Sequence, residues 1–194
     1  MSRAYQRLSL ALALTMALTA CGQDDSAPSA TPTSLTLSAP PASVAPAPTP
    51  SAVPTTAGDA KQQILDAYMG MQAAFAEAGK TSNPDYPGLR TYTTGSALDL
   101  FRTALAQRKK DGVLARNGTV NHPEVIEMSP TKEPTKAVVQ DCMDTRKGSL
   151  YKPNGDPVPQ DKGGFRLALA DLERIDGTWK VTDLAIREVG TCMV

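Results

Sequence analysis

The sequence predicts an α+β domain over residues 58–194, with N-terminal helices packed on a curved antiparallel sheet. Three observations predict it. Apolar residues recur at helical spacing in two segments between Asp59 and Gly112. Strand-like segments follow from Val120 onward, and Asp176-Gly177 is a hairpin signal between the last two. Helices first and a meander afterwards place the helices on one face of the sheet. A stretch of about 137 residues is one domain by size, with enough chain for a core.

The first helix carries Ile64, Leu65, Tyr68, Met69, Met71 and Phe75 on its apolar face. Asp59 followed by Gln62 reads as its capping box, and Gly79 as its C-terminal cap. A loop with Pro84, Tyr86 and Pro87 follows. The second helix starts near Ser96 and presents Leu98, Leu100, Phe101, Ala104 and Leu105. Lys109 and Lys110 suit its last turn, and Gly112 ends it. Val120 to Met128 is the first strand, with Pro123 marking an edge or a bulge. Lys136 to Asp144 is the second. Residues 145–163 read as loop, with Asn154-Gly155 as a tight turn. Phe165, Leu167 and Leu169 alternate on the third strand. On the fourth, Leu184 and Ile186 take the opposite parity to Trp179 and Val181. One extra residue near Thr182–Asp183, a β-bulge, returns all four to one face.

The run Gly177-Thr178-Trp179-Lys180-Val181-Thr182-Asp183-Leu184 resembles the Gly-x-Trp-Lys-Val/Ile ending of the nuclear-transport-factor-two-like superfamily. The resemblance spans residues 59–192 and implies a cone-shaped, cystatin-like fold. Through Val139-Gln140-Asp141-Cys142-Met143-Asp144 and Gly190-Thr191-Cys192 the chain also resembles small actinobacterial secreted proteins of this type. Such a cone has a mouth between helices and sheet that holds a small ligand in some relatives, among them ketosteroid isomerases and polyketide cyclases.

The N-terminus has a different character. Arg3 and Arg7 precede an apolar run, Leu8 to Leu18, that is short for a membrane span. Leu18-Thr19-Ala20-Cys21 resembles a bacterial lipobox. The resemblance implies a signal peptide at 1–20, diacylglycerol on Cys21 and cleavage before it. The alternatives are an ordinary signal peptide with an incidental Cys, or a retained membrane helix. Residues 21–57 then form a Pro, Ala, Ser and Thr-rich tether with Asp24 and Asp25 as its charges. This composition lacks the apolar surface that offsets ordering entropy, and proline extends it, to a reach on the order of 100 Å. A Pro-rich ligand for a partner domain is the rival reading.

With lipid on Cys21, Cys142 and Cys192 remain of three cysteines. An even pair in an oxidising compartment predicts a disulfide; a redox or metal site is the alternative, without a CxxC or a His/Cys cluster behind it. No Ser-His-Asp arrangement, phosphate loop or metal-ligand spacing stands out, so no catalytic residue, metal or cofactor is assigned. His122, the single histidine, precedes a proline and reads as a surface residue. Asp141 and Asp144 flank Cys142 at opposite parity, so one at most faces inward, and solvated or turn-forming roles are the plainer reading for both. Tyr68, Tyr86 and Tyr92 are candidates for a pocket mouth, with core packing the plainer role for Tyr68. Met69 and Met71 read as core filling. Asn117-Gly118-Thr119 matches a glycosylation sequon.

With 20 basic and 20 acidic residues and no basic block, nucleic acid is not an expected partner. The expectation is a lipid-anchored protein on the extracytoplasmic face of the cell membrane. Its domain is a non-catalytic module for an envelope protein or a small molecule. The alternatives are an enzyme with acid–base chemistry in the cone cavity, which requires a buried carboxylate beside a Tyr, and a ligand-free spacer.

Overall fold

A computed structural model describes residues 56–194. The signal peptide, Cys21 and the tether up to residue 55 lie outside the described residues. Helix α1 (Ala57–Gly79) is capped by Thr56, whose hydroxyl accepts from Asp59 N at 3.2 Å while Asp59 Oδ2 accepts from Thr56 N at 3.1 Å. Asp59 therefore closes the capping box from its third helical position instead of opening it. Gly79 is a packing residue and not a left-handed cap: a Cβ there would come within 3.1 Å of the Ala115 Cβ. The buried face of α1 is Ile64, Ala67, Tyr68, Met71, Ala74 and Ala78. Met69, expected inside, is 42% exposed, because it falls off this stripe.

The segment expected as loop contains a short helix, α2 (Pro87–Tyr92), with Pro87 in its first turn, where a missing N–H costs nothing. Helix α3 (Gly95–Asp111) ends at Gly112, which adopts φ 62 and receives the reversal that a side chain would resist. Ala97, Phe101 and Leu105 form its buried stripe, and Leu100 is 43% exposed.

Six strands follow: β1 (Leu114–Arg116), β2 (Pro123–Ser129), β3 (Lys136–Asp144), β4 (Ser149–Tyr151), β5 (Phe165–Ile175) and β6 (Thr178–Val189). The main sheet is antiparallel in the order β2-β3-β5-β6, and β1 pairs with β4 in a small separate sheet. Pro123 opens the edge strand β2, as its missing donor requires. Val120 stands apart as a single bridge to Asp144. Asn154-Gly155 lies in the turn after β4, where Gly155 has φ 96. Asp176 and Gly177, at φ 49 and 80, make the β5–β6 hairpin, the two positive values that a type I′ turn needs.

The parity slip in β6 is a bulge. Asp171 pairs with Asp183 but Leu172 pairs with Val181, leaving Thr182 unpaired. Trp179, Val181 and Leu184 thereby share the buried face. The bulge also seats α3: Thr182 O accepts from Ser96 Oγ at 3.1 Å, and Gly95, at φ 55, would bring a Cβ to 3.0 Å of the same oxygen. A second bulge in β2 leaves Ile126 unpaired and exposed.

On β5 the alternating set Phe165, Leu167 and Leu169 is not the fully buried one. Ala168, Ala170 and Leu172 face the helices, whereas Leu167 and Leu169 lie half-buried on the other side. Both parities of this strand are apolar, so alternation does not choose between them. The opposite face is crossed by the C-terminal tail. The chain turns at Gly190 (φ 89), whose N–H reaches Phe165 O at 2.8 Å. Thr191 Oγ1 then accepts from Leu167 N at 2.9 Å, and Cys192 meets Cys142, with a Cα–Cα distance of 5.8 Å and an S–S distance of 2.02 Å. The result is the α+β class expected, with helices closing one face of a curved antiparallel sheet. Among the described residues no helix is long and apolar enough to cross a membrane.

Candidate functional site

Between the helices and the sheet lies a cavity of about 640 Å³. Its sheet side is Met143 of β3 with Leu184 and Ile186 of β6; its helix side is Gln72, Phe75 and Ala76 of α1 with Phe101 and Arg108 of α3. Residues of β1, β4 and the start of β5, with Asn117–Thr119 and the segment 160–163, contribute to the rim. Helical spacing puts Gln72, Phe75 and Ala76 on one flank of α1, beside its buried stripe. Phe75 and Phe101 stack across the helix pair, with ring centroids 4.4 Å apart and planes at 29°. The Arg108 guanidinium lies over the Phe75 ring, 5.2 Å from its centroid. Burial draws Arg108 below the ordinary guanidinium range.

Beside the cavity is a buried polar network. Asp141 belongs to the helix-facing parity of β3, with Ala137, Val139 and Met143, and is 0% exposed. Its Oδ2 accepts from the Tyr68 hydroxyl at 2.8 Å and from Asn121 Nδ2 at 2.6 Å, and its Oδ1 accepts from His122 N at 2.6 Å. The Tyr68 hydroxyl in turn accepts from Gln72 Nε2 at 3.0 Å, and Thr119 Oγ1 donates to Asn121 Oδ1 at 2.8 Å. Burial first, and then the adjacent Asp141, push the Tyr68 phenol well above its ordinary range, so it stays protonated as a donor. Gln72 and Thr119 reach the cavity; Asp141, Tyr68 and Asn121 do not line it.

The candidates from sequence divide accordingly. Of the two aspartates, Asp141 faces inward, and its solvated reading is overturned: a carboxylate among apolar neighbours is tolerated because three donors satisfy it. Asp144 sits at the end of β3, where Arg146 donates from its backbone N at 3.0 Å, Nε at 2.8 Å and Nη2 at 2.7 Å. These bonds hold the Asp144 carboxyl down at about 2. The His122 side chain is exposed, and only its backbone N–H joins the network. Tyr68 is fully buried, Tyr86 and Tyr92 pack half-buried against the core, and none of the three lines the cavity. Met71 is core; Met69 is not. Asn117 is exposed at the rim with φ 54. Cys142 and Cys192 are joined, while Cys21 lies outside the described residues. Among the described residues no group of three or more His, Cys, Asp or Glu side chains is placed to hold a metal.

Sequence reading missed Arg108, Gln72 and Asn121. Arg108 sits in a basic helix end and looks there like a solvated charge complementing the helix dipole. Gln72 and Asn121 carry no local pattern at all.

No protein family matches the chain, and no curated protein does. Several solved structures are similar at low identity. The intermembrane space region of the chloroplast protein ARC6 is 12% identical, with 66% of this chain and 95% of that chain covered and a TM-score of 0.45. A protein of unknown function with a cystatin-like fold from Nostoc punctiforme is 11% identical, with 72% and 97% covered and a TM-score of 0.42. An NTF2-like protein of unknown function from Shewanella oneidensis is 14% identical, with 64% and 98% covered and a TM-score of 0.35. Likeness of this size assigns neither activity nor partner to the chain.

Proposed function

We propose that this protein is a lipid-anchored extracytoplasmic lipoprotein whose α+β domain binds a small molecule in the cavity between helices and sheet. The observation that carries the binding half is the cavity itself. At about 640 Å³ it lies within the range of small-molecule sites, and it combines apolar and aromatic walls with a few polar groups. The anchor rests on the lipobox-like Leu18-Thr19-Ala20-Cys21 and the Pro-rich tether after it. The Cys142–Cys192 bond suits the oxidising side of a membrane.

The acid–base alternative would rely on Asp141 and Tyr68, the buried carboxylate beside a tyrosine. Both Asp141 oxygens are already engaged, and Gln72 stands between the Tyr68 hydroxyl and the cavity. This geometry suits a structural tie better than a proton shuttle, which must reach its substrate within hydrogen-bond distance.

Thermal shifts of the full chain in fractionated small-molecule extract test the binding reading. At least one fraction should raise the melting temperature of the native chain and leave Ala76→Phe, which fills the cavity wall, unmoved. A native chain indifferent to every fraction, or an equal shift in the filled variant, overturns it. Mass spectrometry of the mature N-terminus tests the anchor: acylated Cys21 is expected, and an unmodified N-terminus refutes it.

A further inference from the structure

We infer that the cavity takes an apolar acid, with Arg108 receiving its carboxylate and the Phe75–Phe101 pair lying beside its apolar body. This deepens the small-molecule reading and rests on it. The cavity walls carry more positive than negative groups, although the chain as a whole balances at 20 of each. Glu77 is matched by Lys80, which it pairs with across one helical turn. Asp161 is the other acid on the rim, against Arg108, Arg116, Lys162 and Arg166.

Those four cations are not equivalent. Arg116 is exposed and stacks on Tyr151, its Cζ 3.9 Å from the ring centroid. Arg166 donates to Arg187 O at 3.4 Å. Lys162 is exposed on the segment before β5. Arg108 is half-buried with its guanidinium over the Phe75 ring, and among the described residues its side chain makes no hydrogen bond or ion pair within the chain. Its Nη1 lies against Gly79, where even a Cβ would approach to 3.6 Å. The guanidinium is partly desolvated, rests over Phe75 and is tied to no acid of the chain, so an arriving carboxylate can take its N–H donors from water without breaking a bond within the protein. Burial, which disfavours the charged form, lowers its pKa for the same physical reason. A single planar fork fits a carboxylate through two parallel bonds. A phosphate dianion needs several converging donors, and the other cations are spread around the rim. Phe75, Phe101, Leu184 and Ile186 then supply the apolar surface for the rest of the ligand.

Equilibrium dialysis of the full chain against 2-naphthoate and its neutral counterpart 2-naphthylmethanol tests this. The acid should bind at least about tenfold tighter than the alcohol, which corresponds to about 1.4 kcal/mol, and rising salt should weaken the acid alone. In Arg108→Met the ratio should fall to about one while the alcohol still binds, so that alcohol binding reports a folded cavity. Arg108→Lys should keep part of the preference. Equal affinity for both compounds in the native chain, or an unchanged ratio in Arg108→Met, overturns the charge assignment and leaves cavity binding standing. Failure of both compounds to bind the native chain overturns this inference, and the extract experiment then decides the binding reading separately. Should Arg108→Met fail to fold, the native ratio and Arg108→Lys decide the matter.

Discussion

Replacing Tyr68 by Phe removes one oxygen from the middle of the molecule and keeps the ring that fills the core. In the native chain that hydroxyl donates to Asp141 Oδ2 at 2.8 Å and accepts from Gln72 Nε2 at 3.0 Å. Asp141 is fully buried and keeps only Asn121 and the His122 N–H after the change. A hydrogen bond to a charged group contributes about 1.5–3 kcal/mol, so a loss of about 2 kcal/mol is expected. Gln72 loses its acceptor as well and retains only the long contact to Met143 Sδ at 3.9 Å, which pushes the figure toward the upper end. With unfolding entropy near 2.1 cal/mol/K per residue, about 2 kcal/mol over a domain of this size lowers the melting temperature by roughly 7 °C. Urea titration monitored by Trp179, which is buried in β6, measures the loss directly. A change below about 0.5 kcal/mol, the level of ordinary surface substitutions, would refute the claim that Asp141 depends on this donor.

The same residue makes a pH prediction. The Tyr68 phenol is raised in the folded chain, chiefly by burial and then by Asp141. Below about pH 10, the ordinary tyrosine value, folded and unfolded chains both hold the proton and the contribution is fully present. Above it the unfolded chain loses the proton and the folded chain keeps it, so stability falls as pH rises, by about 1.4 kcal/mol per pH unit for one proton. Tyr68→Phe should flatten the alkaline limb by that slope relative to the native chain. Parallel curves for the two proteins would contradict the burial of the hydroxyl.

Two further outcomes are expected. Reducing Cys142–Cys192, or replacing both with Ser, opens a loop of 50 residues and should lower stability by about 4 kcal/mol in the chain-entropy model; denaturant midpoints with and without reductant check this, and coincident midpoints would show that the tail is held by other contacts. Asp144, ordinarily near 3.8 and held at about 2 by Arg146, contributes stability above the unfolded value that is lost as pH falls toward 2. Asp144→Asn should therefore blunt the acid limb of stability between about pH 4 and 2 in calorimetry, and an unchanged limb would discount the Arg146 interaction.

Much of the fold was legible in local chemistry. β3 has the bounds read from sequence, Lys136–Asp144, because its apolar alternation is framed by charged ends. The Thr182 bulge was visible as a parity slip, since a period of two cannot tolerate an odd insertion. Gly112 and Asp176-Gly177 were legible because positive φ narrows the residue choice. The misses are non-local. β1 and β4 are three residues each and owe their strand geometry to each other, and nothing within Leu114–Arg116 announces a partner at Ser149–Tyr151. α2 is six residues long, below the length at which periodicity gives a signal. The inward face of β5 follows from its register with β3 and β6, where Ala170 stands between Val139 and Leu184, and its two apolar parities do not encode that register. The cavity was the least legible part, since Phe75, Phe101, Arg108 and Leu184 meet only through the packing of α1, α3 and β6.

Gln72 and Thr119 connect the polar network to the cavity, since each lines the cavity and each hydrogen-bonds to a member of the buried group around Asp141. The bonds that hold α1 to β3 therefore also fix two points of the cavity wall, and the network acts on binding by setting shape. Arg108 is different in kind: it stands on α3, outside that network, so its charge is available to a ligand without disturbing the tie between α1 and β3. Separating the two duties lets a small domain keep one buried carboxylate fully satisfied for stability while holding one guanidinium free of ion pairs for recognition. The two substitutions distinguish these roles. Tyr68→Phe should weaken acid and alcohol together as the wall loosens, whereas Arg108→Met should weaken the acid alone.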